Sequence, residues 1–364
     1  MAEMDMGFSP KRSGNHKKNK KKQGFWESIV TGLFPVKGDS TGEILRKIVF
    51  LTALIVLVVA LVMIAVYFVQ FGKLEQNVAD GTATDKAIVE LKNTQPTKEH
   101  IDNLPQGTVN EEFAALYAEN SDFIGWLNIP GTNIDYPVVQ TDNNDFYLHR
   151  DFHKEYLFAG TLFADYEGPV TADGMPQNTV IYGHNMMYKY QFSGLMNYKH
   201  RIDFLKYSPV INFDTLYGNN SYKIISVFVT NVYKEHGEVF EYNKHLYFKN
   251  RDEFFDFVLE CEDRSIYEMG VDVEYGDEFL TLSTCDQDIS LDLRLVIVAR
   301  KVRPNESPEV DTSKIVKKSS TKYFDAYYDI FGKLWKGRTW DTSVVKGMDE
   351  YIKSHGLEDD PKNY

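Results

Sequence analysis

The longest uninterrupted apolar stretch of the chain lies near its N-terminus. Residues 48–69 read IVFLTALIVLVVALVMIAVYFV and contain no charged side chain. At a rise of 1.5 Å per residue, a helix of this length measures about 33 Å and spans a hydrocarbon core of about 30 Å. The apolar part of a cleaved signal peptide is shorter, about 7–15 residues. The pattern therefore predicts a transmembrane helix over residues 48–69.

Beyond this helix the chain is first polar and then β-like. Residues 70–109 show no sustained apolar period and predict a stalk, with a short helix near residues 85–91. Asn110 can cap a helix at which the folded domain begins. Short runs rich in Val, Ile, Phe and Tyr then predict strands at residues 125–129, 136–140, 160–164, 178–183, 221–232, 278–285 and 293–302.

One helical stripe lies among the predicted strands, at residues 250–260, where Phe254, Phe255, Val258 and Leu259 share a face. Residues 110–303 thus predict a mostly β domain, an antiparallel barrel or sandwich with a few helices. After Arg303 the chain turns polar, and residues 304–364 form a C-terminal extension. Its aromatic residues recur at helical spacing, so this extension either packs back onto the domain or meets a partner.

Charge divides the chain into two unlike parts. Residues 1–47 form a tail with ten Lys and Arg against five Asp and Glu, whereas the remainder has 30 against 48. Because basic flanks stay on the cytoplasmic side, the tail is predicted to be cytoplasmic and the domain to lie outside the cell membrane. The acidic body argues against nucleic acid as a partner, since phosphate binding rests on clustered Lys and Arg, and the basic run Lys17–Lys22 beside the predicted membrane helix fits the membrane flank better than a nucleic-acid patch.

The chain has only two cysteines, Cys261 and Cys285. So few cysteines cannot form a disulfide framework, although a single disulfide between the two is arithmetically open. Cys261 falls in the helical pattern and Cys285 ends a strand pattern, which disfavours that pairing. Neither has a second Cys or His at metal-ligand spacing, so the sequence predicts neither a metal site nor a cofactor.

Three polar side chains occur where a β-rich core does not need them. Cys285 ends EFLTLSTC, His184 follows NTVIYG, and Arg294 interrupts LDLRLVIV. A cysteine attacks as a thiolate, so it needs a cationic or basic neighbour that lowers its pKa. A histidine can fill that role and later protonate a leaving amine, and an arginine can bind an oxyanion. Taken singly, each residue type is more often structural than catalytic.

In combination, these motifs are more specific. Residues 123–303 resemble the sortases, the membrane-anchored cysteine transpeptidases of Gram-positive bacteria. LSTC at 282–285, the arginine strand nine residues after the cysteine, and GHN at 183–185 are similar to that family's nucleophile, arginine and histidine motifs. FIGWLNIPGTNIDYPVVQ at 123–140 and the helix before the cysteine strand resemble class B in particular.

The resemblance implies an eight-stranded β-barrel with an N-terminal helical element. It implies cleavage of the C-terminal sorting signal of a secreted protein after a Thr, through a thioacyl enzyme. The acceptor would be the amine of a cell-wall peptidoglycan precursor or of a pilin. It makes Cys285 the nucleophile, His184 the acid and base, and Arg294 the stabiliser of the oxyanion, with Ser283 and Thr284 contributing to substrate binding.

Two other functions remain open from the residues. A membrane-anchored cysteine hydrolase would use the same Cys285 and His184 pair but transfer the acyl group to water. A non-enzymatic cell-surface β-domain would simply bury Cys285. The reactivity of the thiol and the fate of the acyl group distinguish the three.

Overall fold

The computed structural model describes residues 30–79, 86–186, 190–288, 290, 292–332 and 334–358. The chain divides into two compact units, Met1–Phe68 and Val69–Tyr364. The basic run Lys17–Lys22, on which the predicted orientation partly depends, lies outside the described residues.

The predicted apolar helix lies within α1 (Thr41–Ala79), which begins in the first unit. The stretch Thr41–Gln70 contains an 18-residue window of mean hydropathy 3.3, none of which is buried by protein. Such a helix satisfies its backbone hydrogen bonds internally, as a membrane-spanning segment must, and its one hydroxyl in residues 48–66, that of Thr52, donates to the carbonyl oxygen of Ile48. Its length and composition agree with a single-pass anchor.

The second unit is built on eight strands that close into a barrel. The strands are β1 (Phe123–Asn128), β2 (Asp135–Val139), β3 (Leu162–Ala164), β4 (Asn178–Tyr182), β5 (Val210–Thr215), β6 (Ser221–Asn231), β8 (Phe279–Cys285) and β9 (Leu293–Lys301). A separate two-stranded sheet pairs β7 (Tyr267–Glu268) with β10 (Val316–Lys317). The predicted mostly β fold with eight barrel strands is confirmed.

The order of strands around the barrel is β1-β2-β3-β4-β8-β9-β6-β5, and β5 pairs back with β1. The β2–β3 and β4–β8 ladders are parallel, and the other barrel ladders are antiparallel. The parallel β4–β8 pair joins strands about 100 residues apart in the chain, with β5, β6, β7 and several helices between them. This crossover brings the histidine and cysteine motifs to neighbouring strands.

Short helices surround the barrel. They are α2 (Lys86–Asn93), α3 (Lys98–Asp102), α4 (Ala114–Glu119), α5 (Met196–His200), α6 (Ile202–Tyr207), α7 (Arg251–Arg264), α8 (Asp325–Phe331) and α9 (Met348–His355). The predicted helix near residue 250 is α7, which begins where the Asn250 side chain accepts a hydrogen bond from the Glu253 N–H. Its predicted apolar stripe is buried in the core.

The segment before residue 110 contains the short helix predicted near residues 85–91, which is α2, and a further helix, α3. Ile88 of α2 is buried in a cluster with Phe113 and Leu116, so packing against the barrel begins before the predicted boundary at residue 110. The side chain of Asn110 makes no helix cap. Its Nδ2 instead donates to the carbonyl oxygen of Thr215 and to Asn219, because this loop lies against the β5–β6 turn.

The C-terminal extension packs back onto the barrel domain, one of the two arrangements left open by its sequence. Trp340, Met348 and Ile352 belong to the main core cluster. Strand β10 of the extension pairs with β7. Helix α7 is therefore covered on a second side, which explains why its charged residues Glu262 and Asp263 are buried as well as its apolar stripe.

Candidate active site

Cys285 and Arg294 are paired across the antiparallel ladder of β8 and β9. The next pair along the ladder contains the hydrogen bond from the Asp286 N–H to the Leu293 carbonyl, 2.9 Å long. Pairs alternate between hydrogen-bonded and non-hydrogen-bonded types, so Cys285 and Arg294 form a non-hydrogen-bonded pair, with Cβ atoms about 4.5–5.5 Å apart on the same face. The predicted nucleophile and the predicted cation are thus neighbours.

His184 reaches the same site from the other side of β8. Strand β4 pairs in parallel with β8, with Tyr182 opposite Ser283, and the Gly183 N–H continues the ladder with a 3.2 Å bond to the Ser283 carbonyl. Extending this register by two residues places His184 beside Cys285. A Cβ on Gly183 would lie 2.3 Å from Leu162 Cδ2, so only glycine fits immediately before the histidine.

The backbone around the site holds the imidazole in one orientation. The His184 N–H donates to Gln191 Oε1 at 2.8 Å, and His184 Nε2 lies 3.0 Å from the carbonyl oxygen of Leu148. Because a carbonyl can only accept, Nε2 carries the proton and Nδ1 is the basic nitrogen of the neutral ring. The ring of His149 stacks on that of His184, with centroids 5.7 Å apart.

Electrostatics favour the neutral form of His184. Burial lowers the pKa of its imidazole below the ordinary value of 6.5, and the nearby His149 and Arg294 lower it further, while the hydrogen bond to Leu148 acts in the opposite direction. A neutral imidazole near pH 7 can accept a proton. His184 therefore has the protonation state that a general base requires.

One open groove of about 500 Å³ is lined by Cys285, His184 and Arg294 together. Ser283 and Thr284 also line it, so all five residues singled out in the sequence meet there. The volume lies in the range of pockets that bind small molecules or short peptide segments, about 300–1,000 Å³. The structure thus brings a thiol, a base and a guanidinium to one solvent-open cleft.

The hydroxyl groups of Ser283 and Thr284 already have protein partners. Ser283 Oγ lies 2.7 Å from the hydroxyl of Tyr242, and Thr284 Oγ1 donates to the carbonyl oxygen of Gly183 at 2.7 Å. Both residues are 2% exposed. These bonds join β8 to Tyr242 and to Gly183, the residue before His184.

The two cysteines differ in environment and form no disulfide. Cys285 is partly exposed in the groove, whereas Cys261 is fully buried in α7. Burial raises the pKa of the Cys261 thiol well above its ordinary value. Among the residues that the structure describes, no cluster of three or more His, Cys, Asp or Glu side chains is arranged to bind a metal ion.

Known proteins share this architecture. The Sortase domain family model matches residues 127–302. Sortase B of Listeria monocytogenes is 32% identical over 208 residues, which cover 57% of this chain and 80% of the relative. Sortase B of Staphylococcus aureus is 28% identical over 197 residues, covering 54% of this chain and 77% of the relative. This chain belongs to class B of the sortase family.

A solved structure agrees with the sequence relatives. The crystal structure of sortase B from B. anthracis in complex with AAEK1 superposes with a TM-score of 0.50 at 27% identity, covering 65% of this chain and 100% of that one. The matched family domain ends at residue 302, so the C-terminal extension of this sortase lies beyond it.

Further polar residues of this sortase line the groove but were not singled out in the sequence. They are Asn144, Asp145, Tyr182, Asn231, Glu241, Tyr242 and Asn243. Asn185, next to the histidine, donates through Nδ2 to the carbonyl oxygen of Cys285 at 2.9 Å. Its place in the GHN motif was its sequence signal. Tyr182 and Asn231 end β4 and β6, and the remaining residues lie between strands, so their approach to β8 is set by the barrel.

Proposed function

We propose that this sortase is a membrane-anchored cysteine transpeptidase with Cys285 as nucleophile, His184 as acid and base, and Arg294 as oxyanion stabiliser. One observation carries the assignment: Cys285 and Arg294 lie on the adjacent strands β8 and β9, His184 follows the neighbouring strand β4 by two residues, and all three side chains line a single open groove. Membership of class B supports the reaction type.

The chemistry follows from the geometry of the groove. Nδ1 of His184 takes the thiol proton, and the sulfur of Cys285 attacks the carbonyl carbon of the scissile peptide bond. Arg294 stabilises the negative oxygen of the tetrahedral intermediate, and His184 returns the proton to the leaving amine as the C–N bond breaks. An incoming amine then attacks the thioester and passes its proton to His184. The C–S bond breaks, and His184 returns that proton to the sulfur, which regenerates the Cys285 thiol and the neutral imidazole. No cofactor is needed for this cycle.

The substrates proposed for this reaction are secreted proteins with C-terminal sorting signals, cleaved after a Thr. The acceptor is the amine of a cell-wall peptidoglycan precursor or of a pilin lysine. Helix α1 anchors the enzyme in the lipid bilayer, with the N-terminus cytoplasmic and the barrel on the outer face of the cell membrane. This location brings the groove to proteins as they leave the membrane.

The test uses full-length enzyme in detergent micelles. The probe is a pool of fluorescein-labelled heptapeptides with Thr fixed at the fourth position and the other positions randomised. Without an amine, we expect mass spectrometry to detect an enzyme adduct on Cys285 that hydroxylamine releases. With triglycine or an Nα-blocked lysine added, peptides ending in the amine should form.

The controls separate the competing functions. Cys285→Ala should form neither adduct nor product, whereas Cys261→Ala, which changes only the buried thiol of α7, should keep both. Hydrolysed peptide without an amine adduct, at saturating amine, would identify a hydrolase. Absence of any thioester adduct on wild-type enzyme across the pool would reject the enzymatic assignment.

A further inference from the structure

Residues 231–243, here called the groove wall segment, connect the active-site groove to the C-terminal extension. Asn231 and Val232 line the groove at one end of the segment, and Val239 to Asn243 line it at the other. Between them, Glu238 faces a second cavity of about 370 Å³ that is lined by extension residues, including Tyr323 and Asp325. The segment therefore leaves the groove, contacts the extension and returns.

The contact with the extension is closest at Gly237. This residue has φ +114°, and a Cβ built on it would lie 2.7 Å from the Asp325 backbone nitrogen and 2.8 Å from Asp325 Oδ2. Asp325 begins helix α8 of the extension. Only glycine satisfies both the backbone conformation and this approach, so the groove wall segment is seated directly on the extension.

Asn231 links the seated turn to the catalytic strands. Its Nδ2 donates to the carbonyl oxygens of Tyr233 at 2.9 Å and Gly237 at 3.1 Å. Because both acceptors are carbonyls, the orientation of the amide is determined by its partners. Asn231 ends β6 directly after Thr230, the ladder partner of Arg294. The turn held by the extension is thus tied to the strand beside the guanidinium.

The far end of the segment is tied to the strand of the nucleophile. The hydroxyl of Tyr242 lies 2.7 Å from Ser283 Oγ, two residues before Cys285. The ring of Phe240 lies under the guanidinium of Arg264 in α7, 5.2 Å from its centroid. Both ends of the groove wall segment are therefore held by the barrel domain, whereas its middle, at Gly237, contacts the extension.

The extension itself is firmly attached to α7. Arg338 Nε and Nη2 donate to the Asp263 carboxylate at 2.9 and 3.0 Å, and Trp340 Nε1 donates to it at 2.7 Å. Lys318 Nζ donates to the carbonyl oxygen of Glu262. These contacts attach the extension to α7 on both sides of α8 in the chain, and Phe324, the residue before α8, is buried in the main core cluster. The start of α8 is therefore held next to the turn.

We propose that the C-terminal extension positions the groove wall for peptide binding, through the contact of Asp325 with Gly237 and the two hydrogen bonds of Asn231. Gly237 and Asn231 are positioning residues in this arrangement. The extension, although outside the matched family domain, is part of the substrate site. The peptide-binding half of the inference rests on the proposed function, whereas the support of the wall does not.

The test compares two glycines in the full-length enzyme. Gly237→Ala introduces a Cβ that collides with Asp325. Gly276→Ala is the matched control, because Gly276 has φ +99° and its Cβ would meet nothing within 4 Å. Hydrogen exchange of residues 231–243 should accelerate in Gly237→Ala only. For the best-processed peptide of the pool, KM should rise about two- to tenfold as the wall must be ordered on binding, with kcat and the alkylation rate of Cys285 unchanged.

A second pair of variants decides the matter if Gly237→Ala does not fold. Asn231→Ala removes the two bonds to the turn, and Asn110→Ala is its control, since the Asn110 amide also holds two acceptors but does not line the groove. Unchanged exchange in the wall for Gly237→Ala or, failing that, Asn231→Ala would overturn the inference. So would faster exchange with an unchanged KM. If wild-type enzyme processes no peptide, the proposed function fails, and the exchange data alone decide whether the extension supports the wall.

Discussion

His184 Nε2 lies 3.0 Å from the carbonyl oxygen of Leu148, so the imidazole donates through Nε2 and keeps Nδ1 as its basic atom. This bond selects one of the two neutral tautomers. The bond also orients the ring, and its acceptor Leu148 lies between β2 and β3, outside the strands β4 and β8 that carry the histidine and cysteine motifs. The histidine of the site is thus positioned by backbone as much as by its own strand.

The first prediction concerns pH and stability. Burial holds the pKa of His184 below 6.5, so the unfolded chain binds this proton more readily than the folded protein. The contribution of neutral His184 to the free energy of unfolding is therefore fully present above about pH 6.5, and it is lost as the pH falls below that value. The difference in melting temperature between wild type and His184→Gln should shrink from about pH 8 to pH 5. A difference in melting temperature that stays constant from pH 8 to pH 5 would contradict this prediction. The similarly buried His245 is present in both proteins and cancels.

The second prediction concerns thiol reactivity. A methanethiosulfonate reagent should label Cys285 in the native enzyme, because that residue is partly exposed in the groove. Cys261 is fully buried, and its raised pKa keeps it a thiol, so it should react only after unfolding. Peptide mapping with and without denaturant measures both. If the native enzyme were labelled at Cys261, or were not labelled at Cys285, the assigned burial of the two thiols would be wrong.

Arg294→Lys tests the planar fork of the guanidinium. An ammonium retains the charge but cannot present two parallel N–H donors, so kcat/KM for acyl transfer should fall about 10²- to 10³-fold. The exposed Arg201, which lies outside the groove, offers a matched Arg201→Lys control with near-normal turnover. Near-normal turnover of Arg294→Lys would remove the guanidinium from the mechanism.

The bond between Ser283 and Tyr242 predicts non-additive stabilities. Ser283→Ala leaves the buried Tyr242 hydroxyl without its 2.7 Å partner, which should cost about 1–3 kcal/mol. Adding Tyr242→Phe removes the stranded hydroxyl, so the double variant should be more stable than the sum of the single changes predicts. Denaturant titration of the four proteins gives the coupling free energy. A coupling near zero would mean that the bond contributes nothing to the fold.

The contacts of Asp263 in α7 with the extension predict a large contribution to the free energy of unfolding. Its buried carboxylate accepts hydrogen bonds from Arg338 and Trp340, and Asp263→Ala should lower the free energy of unfolding by about 3–5 kcal/mol because it leaves a buried cation with fewer partners. Asp329→Ala, an exposed change in the same extension, should stay within about 0.5 kcal/mol of wild type. Equal effects of the two would show that the Asp263 contacts do not hold the extension.

Much of the fold was readable from the pattern of residues. The strand runs at residues 178–183, 278–285 and 293–302 agree with β4, β8 and β9 to within one residue, because β-branched residues bounded by turns leave little choice. Strand β5 was not singled out, since Asn212 and Asp214 alternate with its apolar residues and weaken the apolar run. The cap expected at Asn110 was wrong for a tertiary reason, the proximity of the β5–β6 turn.

The candidate site was readable only in part. The residue types of Cys285, His184 and Arg294 suggested chemistry, and resemblance to a family connected them. The pattern of residues alone could not show that the three lie together, because their proximity depends on the order β4-β8-β9 around the barrel. Other residues that complete the groove, such as Asn231 at the end of β6 and Tyr242, gave no local signal of that role.

By itself the sequence determined the long apolar helix, the β-rich domain and the positions of the reactive side chains on or directly after their strands, since these depend on local periodicity and composition. Only the tertiary structure decided that β4 crosses over to lie beside β8, that the extension covers α7, and that its helix α8 contacts Gly237. Those arrangements depend on contacts between residues about 55–100 positions apart, where burial and fit determine the partner and no short-range pattern records it.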